Sequence, residues 1–265
     1  PWRATADPYH ILVSEIMLQQ TQVERVALKY APFIAAFPDF PALARAPLRE
    51  IMARWQGLGY NRRALALKRI ARRVVAEFQG RLPASVETLR TFPGIGPATA
   101  GALAAFAFNQ PAVFIETNIR RVFLHCFFAD QTGIRDRQIL PLVELTLDRE
   151  RPRSWYYALM DYGAMLKGAG PNPNRRSAHY QRQAPFAGSD RQIRGLILKT
   201  VLATPGLGIE ELVKAVGKSP GRTIGLIDTL IKEGFLEAAG PGLCIAAEAA
   251  GGGWGRDFGT GAGFP

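Results

Sequence analysis

The chain has 265 residues, 33 lysines and arginines against 22 acidic residues for a formal net charge of +11, and two cysteines. A chain of this length makes one large domain or two smaller ones, and it buries about 70–75% of its unfolded surface without disulfide support. Two cysteines exclude a disulfide framework and a four-thiolate metal site, and 48% hydrophobic with 21% charged residues excludes wholesale disorder.

The longest apolar run, residues 100–108, falls short of the roughly 20 residues that span a bilayer. No charged stretch followed by an apolar one opens the sequence at Pro1. A cytoplasmic protein without a membrane partner is therefore expected. The basic excess favours a polyanionic partner, nucleic acid first, although it also serves solubility.

In chain order, Asp7-Pro8 reads as an N-cap and first-turn pair opening a helix to about Glu24, with Ile11, Leu12, Ile16 and Val23 as apolar contacts. Amphipathic stretches follow at 25–36, 48–55 and 62–78, interrupted by Phe37-Pro38 and Gly57-Leu58-Gly59. Residues 85–91, 97–108, 118–128, 137–148 and 154–166 complete an α domain over 1–167. Gly, Pro, Asn and Arg dominate 168–189, which reads as a basic linker. A second unit over 190–247 is expected to hold helices at 191–203, 209–216 and 220–233, the last capped by Ser219. Two short strands, 234–236 and 243–245, follow around Gly240-Pro241-Gly242. Three helices and a terminal hairpin resemble a winged helix, so the fold class is all-α with a small C-terminal α+β domain. Residues 248–265 are Gly-rich and expected to be disordered.

The most informative segment is Phe92-Pro93-Gly94-Ile95-Gly96-Pro97-Ala98-Thr99, between two helical stretches. Two glycines around one apolar residue permit a tight turn that exposes backbone N–H groups at the start of the next helix. The positive end of the helix dipole there suits a phosphate. Gly94, Ile95, Gly96, Ala98 and Thr99 are the candidate DNA-binding positions, while the side chains of Leu89, Phe92 and Ile95 read as core. Any pair of helices can also turn on glycines, so the motif alone leaves a purely structural role open.

This hairpin is similar to the helix-hairpin-helix of the endonuclease III/MutY superfamily of base-excision DNA glycosylases, the HhH-GPD fold. Pro1-Trp2-Arg3, Asp7-Pro8-Tyr9 and residues 14–23 resemble the start of MutY-type adenine glycosylases. Residues 55–60 (Trp-Gln-Gly-Leu-Gly-Tyr) and 160–165 (Met-Asp-Tyr-Gly-Ala-Met) match the same branch. The resemblance covers 1–167. It implies a monofunctional enzyme that bends double-stranded DNA, flips out a mispaired or damaged base and hydrolyses its N-glycosidic bond. Adenine in a mismatch is the first expectation. Excision of mismatched thymine or uracil, and non-catalytic DNA binding on the same scaffold, are the alternatives. A monomer is expected.

Breaking a glycosidic bond through an oxocarbenium-like transition state calls for an acid at the departing base and an anion near the sugar. Glu15 lies among Ile11, Leu12, Ile16 and Leu18, surroundings that raise a carboxyl pKa. The resemblance gives it the role of the acid that protonates adenine; a solvated glutamate on a helix face is the plain alternative. The superfamily places an Asp shortly after the hairpin helix. Here residues 114–122 read Phe-Ile-Glu-Thr-Asn-Ile-Arg-Arg-Val, so Glu116 takes that position, with Asn118 in support and Arg120 opening a basic helix toward DNA. An extra methylene displaces a carboxylate by roughly 1–1.5 Å, and misplacement of that order costs about 10²-fold in rate unless the backbone compensates, which is the expectation. Ala98 stands where bifunctional relatives carry a nucleophilic lysine, which implies an abasic product and no lyase step.

Residues 167–180 lack the cysteines with which many relatives hold an iron–sulfur cluster, so neither a cluster nor another metal centre is expected. Hairpins of this kind often hold a monovalent cation through carbonyl oxygens. Arg175 and Arg176 would contact phosphate where the cluster loop otherwise does, or form a solvated basic loop. Gln19 and Gln20 are candidates to wedge into the duplex, and Tyr60 and Asn61 to approach it. Arg222 would bind DNA from the recognition helix of the winged-helix-like unit.

Overall fold

A computed structural model describes residues 1–181 and 185–247. The tail expected to be disordered, 248–265, lies outside the described residues. Asp7 opens α1 (Pro8–Leu18) as anticipated, its Oδ1 accepting from the backbone N–H groups of Tyr9 and His10 at 2.8 and 3.0 Å. The helix stops six residues earlier than Glu24, because Gln20 adopts a left-handed φ of 54° and turns the chain. There follow α2 (Val23–Ala36), α3 (Phe40–Arg45), α4 (Leu48–Trp55) and α5 (Arg62–Glu77). Helix α3 had no counterpart in the periodicity; Asp39 starts it by accepting from the Ala42 N–H at 2.7 Å. The chain continues through α6 (Val86–Leu89), α7 (Pro97–Phe108), α8 (Thr117–Phe127), α9 (Asp136–Thr146) and α10 (Pro152–Gly168). The C-terminal segment holds α11 (Asp190–Ala203), α12 (Ile209–Val216), α13 (Pro220–Lys232) and antiparallel strands β1 (Leu236–Ala239) and β2 (Gly242–Ile245), Leu236 opposite Ile245. Ser219 precedes α13 without a side-chain cap; Pro220 at the first helical position sets the start instead.

The described residues form two compact units that do not follow chain order. One gathers 1–20 with 82–181, the other 21–81 with 185–247. The composition of 168–189 suggests a linker, but its first half folds with the hairpin unit, where Pro173–Arg176 is a 3₁₀ turn and Ser177 bridges Ile134.

In the hairpin unit, α7 is apolar on all sides, with Ala100, Leu103, Ala104, Ala105 and Phe106 buried, as a central helix must be. It packs against α1 and α10, and α10 packs on α8. Tyr156 on α10 donates its hydroxyl to the Ala112 carbonyl at 2.7 Å, fixing the strand-like approach to α8. That approach also needs Gly101, where a Cβ would lie 2.6 Å from the Phe114 Cβ.

In the other unit, α3 packs on α5 and α2 on α4. The basic stretch of α5 turns partly inward. Lys68 is buried and donates to the carbonyls of Ala44 and Ala46. Arg63 donates to Thr21 Oγ1 at 2.9 Å and to the Gly59 carbonyl at 3.1 Å. Arg62 and Arg194 both pair with Glu233, which binds the C-terminal segment to α5. Among the described residues no helix is long and apolar enough to cross a membrane.

Gly101→Ala should destabilise the chain by about 1–3 kcal/mol through overpacking against Phe114. Urea denaturation measures it; an unchanged midpoint would mean that the α7–Phe114 contact yields freely.

Candidate active site

Helix α1 carries Glu15 on a stretch whose neighbours Leu12, Val13, Ile16 and Met17 are buried. The residue as a whole is half-buried, and desolvation of its carboxyl pushes the pKa from the usual 4.5 up to about 8. The charge of Glu116 adds to that rise, and Arg3 opposes it. The two acidic residues, remote in sequence, therefore lie within each other's field.

Glu116 is the N-cap of α8. Its Oε1 accepts from the N–H groups of Asn118 and Ile119 at 2.7 and 2.8 Å. Burial raises its pKa, while those two N–H groups, and after them Arg120 and Arg121, pull it down. The Asn118 amide nitrogen makes a long contact of 3.5 Å with Oε2. Arg121, buried behind it, donates to Asn118 Oδ1 at 2.6 Å and to the Gly163 carbonyl at 2.5 Å. Gly163 has no room for a side chain: a Cβ would lie 2.4 Å from the Asn118 carbonyl oxygen.

The hairpin turns at Gly94 with a φ of 75°, and Gly96 precedes α7 with no side chain capping that helix. The first-turn N–H groups of a helix have no intrahelical acceptor, and those of Ala98 and Thr99 lie in the first turn of α7. Ile95 is buried and offers only its backbone. Gln19 Nε2 donates to the Gly94 carbonyl and to Thr99 Oγ1, both at 3.1 Å. Gln19 thus ties α1 to the hairpin, while Gln20 beside it is exposed.

Other expected DNA contacts stand differently. Arg120 is buried and forms a bidentate pair with Asp136 at 2.7 and 2.8 Å, which corrects its assignment to the DNA-facing surface. Arg176 donates to the Leu124 carbonyl at 3.2 Å, and Arg175 is exposed. In the second unit, Asn61 precedes α5, Tyr60 accepts from Arg191 through its hydroxyl, and Arg222 pairs with Asp190 at 2.6 Å.

Three residues near Glu15 escaped the sequence reading. Arg3 pairs with both oxygens of Asp161 at 2.7 and 2.8 Å and lies 4.7 Å from the Tyr157 ring centroid. The Tyr157 hydroxyl feels the charge of Glu15, which adds to its upward pKa shift from burial. Arg3 and Asp161 fall inside the quoted segments 1–3 and 160–165, so the signal was present without an assigned role.

The two cysteines do not fit an iron–sulfur cluster: exposed Cys126 lies in the last turn of α8 and Cys244 on β2 of the other unit. Among the described residues no group of three or more His, Cys, Asp or Glu could hold a metal ion.

The family model described as HhH-GPD superfamily base excision DNA repair protein matches residues 13–143. An adenine DNA glycosylase of Mycolicibacterium smegmatis is 32% identical over 94% of this chain and 91% of its own length. Adenine DNA glycosylases of Buchnera aphidicola and Homo sapiens are 36% and 37% identical, each over 63% of this chain. The chain spans 48% and 33% of their lengths. The structure of a thermostable thymine-DNA glycosylase superposes with a TM-score of 0.58 at 28% identity, over 65% of this chain and 81% of that one. An endonuclease III–DNA complex shares the fold, with a TM-score of 0.54 at 19% identity over 62% and 78% of the two chains.

Glu15 should titrate near 8 by carboxyl ¹³C NMR, and Glu116→Gln should lower that value by removing a like charge. The folded chain binds this proton more tightly than the unfolded one. The stability it contributes is thus complete below 4.5 and is lost as pH rises toward 8. Glu15→Gln should flatten that dependence; a Glu15 titrating near 4.5 would place its carboxyl in water.

Proposed function

The chain belongs to the HhH-GPD superfamily of base excision DNA repair proteins, in its MutY-like branch, and on that premise we propose that it is a monofunctional DNA glycosylase that releases adenine from mismatches in double-stranded DNA. One observation carries the reading: Glu15, on a stretch of α1 whose neighbours are buried, lies in the field of Glu116, whose Oε1 is held by two backbone N–H groups. In the proposed reaction Glu15 donates its proton to a ring nitrogen of the extruded base. The C1′–N bond breaks with its electron pair leaving on the base, and the sugar becomes an oxocarbenium ion. Glu116 stabilises that cation, water adds to C1′, and the water's second proton passes to a carboxylate. Asn118 supports Glu116, and the uncapped start of α7 holds a backbone phosphate.

Ala98 offers no amine for a covalent intermediate, so the product is an abasic site. Gln20, exposed at a turn with left-handed φ, enters the space left by the extruded base in this reading. A cluster-free chain and a monovalent cation on the hairpin carbonyls belong to the same reading.

A panel of duplexes with single lesions, treated with alkali to cut at abasic sites, tests it. Adenine release should occur and fall about 10²–10⁴-fold in Glu15→Gln, the span of general-acid catalysis. Release of thymine or uracil instead would assign the pyrimidine-mismatch alternative, and tight binding without any product would remove the catalytic role. Glu116→Asp should slow single-turnover release about 10-fold by withdrawing the pinned carboxylate; faster release would mean that the native glutamate is poorly placed.

A further inference from the structure

Residues 172–178 grip α8 at both ends, a role their Gly/Pro/Asn/Arg texture does not announce. Asn172 starts the 3₁₀ turn, its Oδ1 accepting from the Asn174 N–H at 3.1 Å. Asn174 is buried and donates from Nδ2 to the Thr117 carbonyl in the first turn of α8, at 3.1 Å. At the other end Arg176 donates to the Leu124 carbonyl. The Ile134 N–H donates to the Arg176 carbonyl at 2.9 Å, and the Ala178 N–H to the Ile134 carbonyl at 2.8 Å, anchoring the clasp to the chain before α9.

The same Asn172 Oδ1 accepts from Arg121 Nε at 3.3 Å. A buried guanidinium needs acceptors for its fixed fork of donors, and here Asn172, Asn118 and Gly163 supply them. With Asn118 Oδ1 taken by Arg121, the Asn118 amide nitrogen is left toward Glu116. The contacts thus run from Asn172 through Arg121 and Asn118 to the carboxylate at the start of α8. The chain has no cysteine between Cys126 and Cys244, so amides and a guanidinium do the holding in the segment after α10.

We propose that Asn172 is a positioning residue for base excision: it fixes the Arg121 guanidinium and, through Asn118, the placement of the Glu116 carboxylate. The inference rests on the glycosylase reading given above. A purely structural Asn172 would cap its own turn and do nothing more, and three substitutions separate the two roles. Asn172→Ala removes both acceptor functions. Asn172→Asp keeps an acceptor oxygen for Arg121 and for the Asn174 N–H. Asn172→Ser keeps a turn cap but is too short to reach Arg121.

Single-turnover base release, duplex affinity and hydrogen exchange of the Asn118 and Ile119 amides are measured on the whole chain. Asn172→Ala and Asn172→Ser should each slow release about 10-fold, with affinity within about twofold, and speed exchange at the two amides about 10-fold. Asn172→Asp should restore both. Wild-type rate and exchange in Asn172→Ser, or failure of Asn172→Asp to rescue, would overturn the proposal. If the wild-type chain releases no base from any duplex, the glycosylase reading fails. The exchange measurement then still decides whether Asn172 orders the start of α8.

Discussion

Two carboxyl groups that share a water-poor region cannot both be ionised cheaply, and this constraint organises the hairpin unit. Glu15 and Glu116 lie within each other's field, so a proton must reside mainly on one of them. The surroundings decide which. Glu116 has two backbone N–H donors on one oxygen and the fields of Arg120 and Arg121. At Glu15 the charge of Arg3 opposes the rise, and Arg3 is itself engaged by Asp161. Burial raises both carboxyls, and at Glu15 it lifts the pKa to about 8, which favours a proton there at neutral pH. The hydrogen bonds that oppose the rise at Glu116 have no counterpart among the causes that act on Glu15, so the two acids sit in unlike surroundings.

The same unit puts two helix N-termini to different uses. Helix α8 receives its own residue, Glu116, as a cap, so its positive end holds a carboxylate that belongs to the chain. Helix α7 receives Gly96 and Pro97, which leave the terminus open to an external anion. Gln19 connects the second of these to α1, since its amide bonds the Gly94 carbonyl and Thr99 Oγ1 at the end of the helix that bears Glu15. The hairpin turn and the helix that bears Glu15 are thus tied together by one side chain.

Much of this was legible in the residues themselves. The glycine spacing at 94–96, the apolar setting of Glu15 and the carboxylate at 116 are local patterns, and the folded chain keeps their geometry. What stayed hidden depends on tertiary pairing. Arg120 looks like a phosphate ligand on a basic helix until Asp136, from a different helix, takes its guanidinium. Arg62 and Arg194, remote from each other in sequence, both pair with Glu233. The early end of α1 follows from a backbone turn at Gln20 that no periodicity encodes, and the grouping of 21–81 with the C-terminal segment could not be read from composition.

Glu116 in place of the expected Asp shows how far a local rule can be bent by geometry. Glutamate is an unusual N-cap, because its longer arm carries the acceptor past the first-turn N–H groups. Here the residue is nearly fully extended, with φ −120° and ψ −179°, and its side chain folds back so that a single oxygen, Oε1, accepts from both Asn118 and Ile119. The added methylene is spent on that return toward the helix. The second oxygen remains beside Asn118 rather than displaced outward by the full length of a carbon–carbon bond. Backbone extension and fold-back together let the longer acid cap α8 as a shorter one would.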